Sequence, residues 1–258
     1  MQQHSMTCLA PTISAILGLP APAQCEAEPI FPIVEALAGT ERIAVVAPDA
    51  LGYSILERWR AEMPYLDSLC REDCMLLRSV MPSITPVNFA TMVSGVDKSV
   101  HQIGAFTDDF RCETLFELLR AEGYHSAGVG RRGYTGAELL ARHADIPGVA
   151  ENNTDAEVER IALRIAREYQ PEFTIVQLGS TDDVFHKHGP SSPEVLPTLH
   201  ETDQRLRRMV EALGREGYSV IITADHGQHD TETGGSHGTD CDDDCLVPLT
   251  WVGGAAEG

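Results

Sequence analysis

The sequence predicts an α/β fold: a mainly parallel β-sheet sandwiched by helices. Three observations predict it. Four short apolar runs, Ile43–Ala47, Ser126–Val129, Phe173–Leu178 and Tyr218–Thr223, are continuous rather than alternating, the pattern of strands buried on both faces. Helical periodicity fills stretches between them. Three of the runs end in acidic residues, which sets carboxylates along the edge where such sheets bind ligands.

The helical stretches follow from spacing. Apolar positions are Leu115, Phe116, Leu118 and Leu119 in Glu113–Glu122; Val158, Ile161, Ala162, Ile165 and Ala166 in Ala156–Tyr169; and Leu199, Leu206, Met209, Val210 and Leu213 in Thr198–Glu216. Steps of three and four put each set on one helix face. Gly123, Gly217 and Gly227 fall at element ends, where helix stops and tight turns favour glycine. Residues 131–155, rich in Gly and Ala, read as a surface excursion. No linker divides the chain, so residues 1–258 are expected to form one domain.

With 258 residues, 43% of them apolar, the chain can bury a full sheet. No segment is long and apolar enough to span a bilayer. Met1–Glu28 lacks a basic start and is interrupted by Pro11, Pro20 and Pro22, so it does not read as a signal peptide. The net charge of −20 disfavours nucleic-acid duplexes and membrane surfaces as partners. It also repels a phosphorylated substrate, so an anion site here needs concentrated positive charge, which metal ions supply most directly. Seven cysteines with no CxxC pair argue against a zinc ribbon and for free thiols in a reducing, cytoplasmic setting. Cys241 and Cys245 flank the run Asp242-Asp243-Asp244. A metal or disulfide role there stands against the plainer reading of a solvated loop.

The chemistry gathers at the strand ends. Ile43–Ala47 runs into Pro48-Asp49, Phe173–Leu178 into Gly179-Ser180-Thr181-Asp182-Asp183, and Tyr218–Thr223 into Ala224-Asp225-His226-Gly227. The carboxyl ends of parallel strands share one edge, so Asp49, Asp182 and Asp225 are expected to converge. Clustered carboxylates repel one another unless cations lie between them. His226, His237 and His186, the last four residues after Asp182, extend the set to about six N/O ligands, more than one ion uses. Each residue alone has a plainer reading: an Asp after a strand often only caps a helix, and a single His is more often a surface group. Their joint placement favours metal binding.

Thr85-Pro86 has the form of an N-cap followed by the first helical residue. Beyond capping, a hydroxyl at a positive helix N-terminus suits an anionic phosphoryl group. A neighbouring metal would lower the hydroxyl pKa and make it a nucleophile.

The ordered motifs Val45-Val46-Ala47-Pro48-Asp49, Pro82-Ser83-Ile84-Thr85-Pro86-Val87-Asn88, Thr91-Met92-Val93-Ser94-Gly95, Asp182 with His186, Ala224-Asp225-His226-Gly227, His237-Gly238-Thr239 and Val247-Pro248-Leu249 resemble the alkaline phosphatase superfamily. The likeness is greatest to its nucleotide pyrophosphatase/phosphodiesterase branch and covers Ile43 to Val252. The resemblance implies an alkaline phosphatase-like fold and a hydrolase of small-molecule phosphate esters. Phosphodiester or nucleotide pyrophosphate bonds come first; monoesters, phosphonates or a mutase reaction are the alternatives. It implies two divalent metal ions, zinc in this branch and manganese or iron in relatives. Asp49, Thr85, Asp225 and His226 would hold one ion, with Thr85 as nucleophile. Asp182, His186 and His237 would hold the other, and Asn88 would donate to a nonbridging phosphoryl oxygen. The implied reaction is two in-line displacements through a phosphothreonine.

Sulfatases share the scaffold but need Cys or Ser in a C/S-x-P-x-R context, which Thr85-Pro86-Val87-Asn88 lacks. Cofactor-independent phosphoglycerate mutases carry a Ser nucleophile and a large inserted domain for which the chain is short. A metal-binding scaffold without chemistry is the reading outside enzymes, and the presence of every matched ligand argues against it. Two departures stand out. Ala50 follows Asp49, where relatives often have Gly. Leu9–Pro20 resembles a helix that relatives carry after the last His ligand, so residues 1–30 are expected to hold a displaced copy; an unrelated amphipathic helix is the alternative.

Asn88, with no arginine beside the nucleophile, leans the substrate towards diesters. Arg131, Arg132 and Lys187 are candidate contacts to substrate charge, against the reading of solvated surface groups. His101 is given no catalytic task. His188 and His229 are expected to orient neighbouring ligands. Assembly as a homo-oligomer is left open.

Overall fold

The computed structural model describes residues 2–254. One sheet holds β1 Gln3–Ser5, β2 Arg42–Pro48, β3 Met75–Arg78, β4 Ser126–Arg131, β5 Ile146–Ala150, β6 Phe173–Leu178, β7 Tyr218–Thr223 and the last strand, Leu246–Val252. β8 His229–Thr231 and β9 Gly234–Ser236 form a separate hairpin, so the last strand is β10. The sheet order is β1-β3-β10-β7-β2-β6-β4-β5. Only β10 among the described strands of this sheet runs against its neighbours.

The four apolar runs are the central strands, and every residue of β4, β6 and β7 is buried. Helices cover both faces, which is why these strands carry no polar alternation. Asp155–Glu168, Leu196–Arg215 and Pro64–Glu72 pack in series on one side; Leu9–Ile16, Thr85–Ser94 and Leu115–Ala121 pack in series on the other. Phe116 meets Phe173 of β6 with ring centroids 6.1 Å apart. Each ring buried in this way contributes roughly 1.5–3 kcal/mol.

β2 pairs with β6 from Ile43↔Phe173 to Pro48↔Leu178, and with β7 from Arg42↔Tyr218 to Val46↔Ile222. This register stops all three strands on one edge. The Asp49 amide still donates to Leu178 O at 2.9 Å, so the ladder holds the first candidate ligand.

Two expectations are revised. Residues 131–155 are not a surface excursion: β5 extends the sheet, and Gly136–Ala141 forms wide π-helical turns that are largely buried. Glycines allow this. A Cβ on Gly128 would stand 2.5 Å from the Leu140 carbonyl carbon, and one on Gly130 would stand 2.6 Å from Gly136 Cα. Thr85 is not the cap but the first helical residue, because Asn88 N donates to Ile84 O at 3.1 Å and makes Ile84 the cap. The N-terminal segment places β1 against β3, one strand from β10, and packs helix Leu9–Ile16 on the helix that begins at Thr85. No helix among the described residues is long and apolar enough to cross a membrane.

Candidate metal centre

The residues after β2, β6 and β7 meet. Asp49, Asp225 and His226 form one group of donor atoms, and Asp182, His186 and His237 form a second. Thr85 Oγ1 joins the first group, 3.1 Å from His226 Nε2 and 3.5 Å from Asp49 Oδ1. In the second group His186 Nε2 lies 3.3 Å from Asp182 Oδ1 and 3.2 Å from His237 Nε2. The first group is sealed. The second is more open, with the His186 side chain 45% exposed.

The three imidazoles share one orientation. Nδ1 faces a backbone carbonyl in each: Gly227 O at 2.9 Å for His226, Gly235 O at 3.1 Å for His186 and Ser83 O at 2.9 Å for His237. A carbonyl only accepts, so each Nδ1 carries the proton and each Nε2 turns a lone pair inward. Gln228 Nε2 stands 3.1 Å from His186 Nδ1, and its Oε1 is buried without a partner; the amide turned end for end brings the oxygen to the Nδ1 proton and suits this tautomer. Two such lone pairs at 3.2 Å, those of His186 and His237, repel unless a cation lies between them.

The carboxylates point the same way. Asp182 Oδ1 and Asp225 Oδ2 are buried without a hydrogen-bond partner, which folded proteins rarely tolerate. Burial, then the charges of Asp225 and Asp182, push the Asp49 carboxyl far above the usual range. This donor set fits two divalent cations.

Neighbouring residues fix the ligands. Ala50 adopts a left-handed backbone with φ 60°, the conformation that makes glycine suitable at this position. Its amide donates to Asp225 Oδ1 at 3.1 Å. Thr181 Oγ1 donates to Asp49 O at 2.5 Å. Gln177 donates its amide to Asp49 Oδ2 and accepts from the Gly136 amide. Sequence reasoning missed Gln177; its signal was a lone amide in the run Phe173–Leu178. Asp155 accepts from Gly179 N and Ser180 N, each at 3.0 Å. It thereby fixes the turn into helix Ser180–His188, where Asp182 and His186 share a face.

A family model for type I phosphodiesterase / nucleotide pyrophosphatase matches residues 43–117 and 120–248. The chain belongs to this family. It is 24% identical to the venom phosphodiesterase of Naja atra over 69% of this chain, and spans 25% of that relative's length. The phosphonoacetate hydrolase of Sinorhizobium meliloti 1021 is similar in structure, with a TM-score of 0.57 at 20% identity over 74% of this chain and 58% of the other. The alkaline phosphatase PafA gives 0.61 at 13% identity over 74% and 64%. The fold is that of the alkaline phosphatase superfamily.

In this member of the phosphodiesterase family, other expected site residues turn elsewhere. Asn88 is fully buried; its Oδ1 accepts from Val80 N at 2.8 Å, and its Nδ2 faces Val80 O, Pro82 O and Ile84 O at 3.2–3.5 Å. In these contacts the amide clamps the loop before Thr85. Arg131 is also buried. It pairs with Asp183 at 2.7 Å and Asp155 at 3.5 Å, and covers the Tyr134 ring at 4.0 Å. Arg132 pairs with Glu151 and, at 3.8 Å, with Glu138. Lys187 is exposed, with no ion pair among the described residues.

His101 is a core residue: Nδ1 accepts from Ile103 N at 3.0 Å, Nε2 meets Thr91 Oγ1 at 3.3 Å, and burial pushes its pKa down to about 4. His188 ends its helix without a hydrogen bond to a ligand among the described residues. His229 does not orient a ligand either, but faces Asp244 at 2.7 Å.

Proposed function

We propose that this chain hydrolyses phosphate esters, with phosphodiester or nucleotide pyrophosphate bonds ahead of monoesters, using Thr85 as nucleophile and two divalent ions, zinc foremost. The observation that carries the reading is the position of Thr85 Oγ1, 3.1 Å from His226 Nε2 at the start of a helix. Family membership supports the reaction class. Asp49, Asp225, His226 and Thr85 would hold one ion, and Asp182, His186 and His237 the other. Bound ions supply Lewis acidity and cancel the repulsion between carboxylates and a phosphoryl group.

The chain's own residues do the rest. The free amides of the first turn of Thr85–Ser94 favour an anion beside the hydroxyl. Thr85 Oγ1 gives up its proton and bonds to phosphorus as the ester P–O bond breaks and the alcohol leaves. Water then displaces Thr85 from the phosphothreonine and restores the hydroxyl. Arg131 and Arg132 are held by carboxylates, so neither guanidinium is free to match the second charge of a monoester. This supports the diester preference.

The test is hydrolysis of aryl phosphate diesters and monoesters by metal-reconstituted wild type and Thr85→Ala, with metal counted in both. Diester turnover lost at unchanged metal content is the expected result. Undiminished turnover in the variant would remove the nucleophile; faster monoester turnover would remove the diester preference.

A further inference from the structure

A third cluster of donors lies behind the metal centre. His229, Cys241 and Asp244 each bring one ligand atom, all within 4.8 Å of one another. The Asp244 carboxylate is fully buried. Its Oδ1 lies 2.7 Å from His229 Nδ1, and its Oδ2 accepts from Thr239 N at 2.9 Å and Thr239 Oγ1 at 2.6 Å. The same Thr239 hydroxyl stands 3.3 Å from Cys241 Sγ. It has one proton and cannot serve both, so the sulfur lone pairs stay available.

A cavity of about 80 Å³ opens beside this cluster, lined by Gln228, His229, Asp230 and Asp243 among others, and holds room for water. Arg78 pairs with Asp240 and Asp242. Around the cluster and cavity, Asp230, Asp243 and Asp244 still outnumber Arg58.

We propose that His229, Cys241 and Asp244 bind a third metal ion of the borderline-soft class, such as zinc, cobalt(II) or cadmium. Water from the cavity completes the coordination. Binding releases the Cys241 thiol proton to solvent and shifts the His229 proton from Nδ1 to Nε2, freeing Nδ1 as the donor.

The ion is structural. Asp244 O accepts from Gly227 N at 2.8 Å, and Gly227 O in turn accepts from His226 Nδ1. A Cβ on Gly227 would lie 2.0 Å from Asp243 O, so this turn rests directly on the backbone behind His226. Cys245 O accepts from Ser79 N at 2.8 Å, and Thr239 O accepts from Ser83 Oγ at 3.0 Å. An ion on residues 229, 241 and 244 fastens this segment to the loop before Thr85.

Cobalt(II) is the probe. The two donor groups of the metal centre contain no sulfur, so a sulfur-to-cobalt charge-transfer band that Cys241→Ser removes reports on the third site. Wild type should take up about three equivalents and show the band; Cys241→Ser should take up about two and lack it. No band in cobalt-saturated wild type, a band that survives Cys241→Ser, or equal cobalt uptake by both proteins would each overturn the proposal. Should the variant not fold, wild type is alkylated with and without cobalt and mapped by mass spectrometry. Cobalt should protect Cys241, and equal labelling would refute the site. Neither readout depends on turnover.

Discussion

His226 and His237 stack with ring centroids 4.0 Å apart and planes 20° from parallel, and so couple the two donor groups through a shared face. Each ring is also tethered by its own Nδ1, to Gly227 O and Ser83 O.

Removing one ring should therefore disturb both groups. His237→Ala is expected to abolish metal binding at its own group. It should also weaken binding at the Asp49 group by about tenfold or more, the range seen when an orienting neighbour of a ligand is lost. Competition with a chromophoric chelator measures both affinities. An unchanged inner affinity would mark the stack as incidental.

Gln177→Leu tests the amide that links Gly136 to Asp49. The fold should survive, because the residue is a buried strand position of similar volume. Metal affinity at the Asp49 group should fall by about 10–100-fold. Equal affinity in the same titration would show that Asp49 is oriented without it.

For Arg131 the ion pairs with Asp155 and Asp183 predict a structural role. Arg131→Ala should lower stability by about 1.5–3 kcal/mol, since it removes the cation beside the buried Asp155, which keeps its bonds from Gly179 N and Ser180 N. Urea unfolding measures this. The ratio of KM values for monoanionic and dianionic substrates should not move; a selective rise for the dianion would restore a substrate-binding role.

The metal-free protein should lose stability as pH rises. Burial, then Asp225 and Asp182, raise the native Asp49 pKa above its unfolded value. The native state therefore holds the extra proton, and stability falls as pH climbs from the ordinary carboxylate range through the raised native pKa. The clean readout is the difference in urea midpoint between chelated wild type and chelated Asp49→Asn. Wild type should decline relative to the variant as pH rises above the ordinary carboxylate range. Parallel profiles would remove Asp49 as the source.

Much of this was legible in the residues. β2, β4, β6 and β7 announced themselves because burial on both faces requires unbroken apolar runs. Asp49, Asp182 and Asp225 announced the site because parallel strands share an edge. β5 was hidden: Ile146-Pro147-Gly148-Val149-Ala150 reads as a turn, and a proline survives there because the strand lies at the sheet's rim. The fates of Asn88 and Arg131 were hidden for another reason. Arg131 finds Asp183 across 52 residues, and no local pattern encodes such a meeting. Asn88 looked free because its partners in the loop Val80 to Ile84 are backbone groups, the Val80 amide and three carbonyls, which no side-chain pattern signals.

The unequal burial of the two donor groups implies unequal exchange kinetics. His226 and Asp225 are sealed at 0% side-chain exposure, whereas His186 is 45% exposed. An ion in the open group can trade places with solvent while the sealed one waits for the surrounding chain to breathe. A chelator should strip the protein in two phases, leaving a half-loaded species between them. On the two-ion reading proposed above, that species would be a reserve at this centre, refilled by the next ion to arrive.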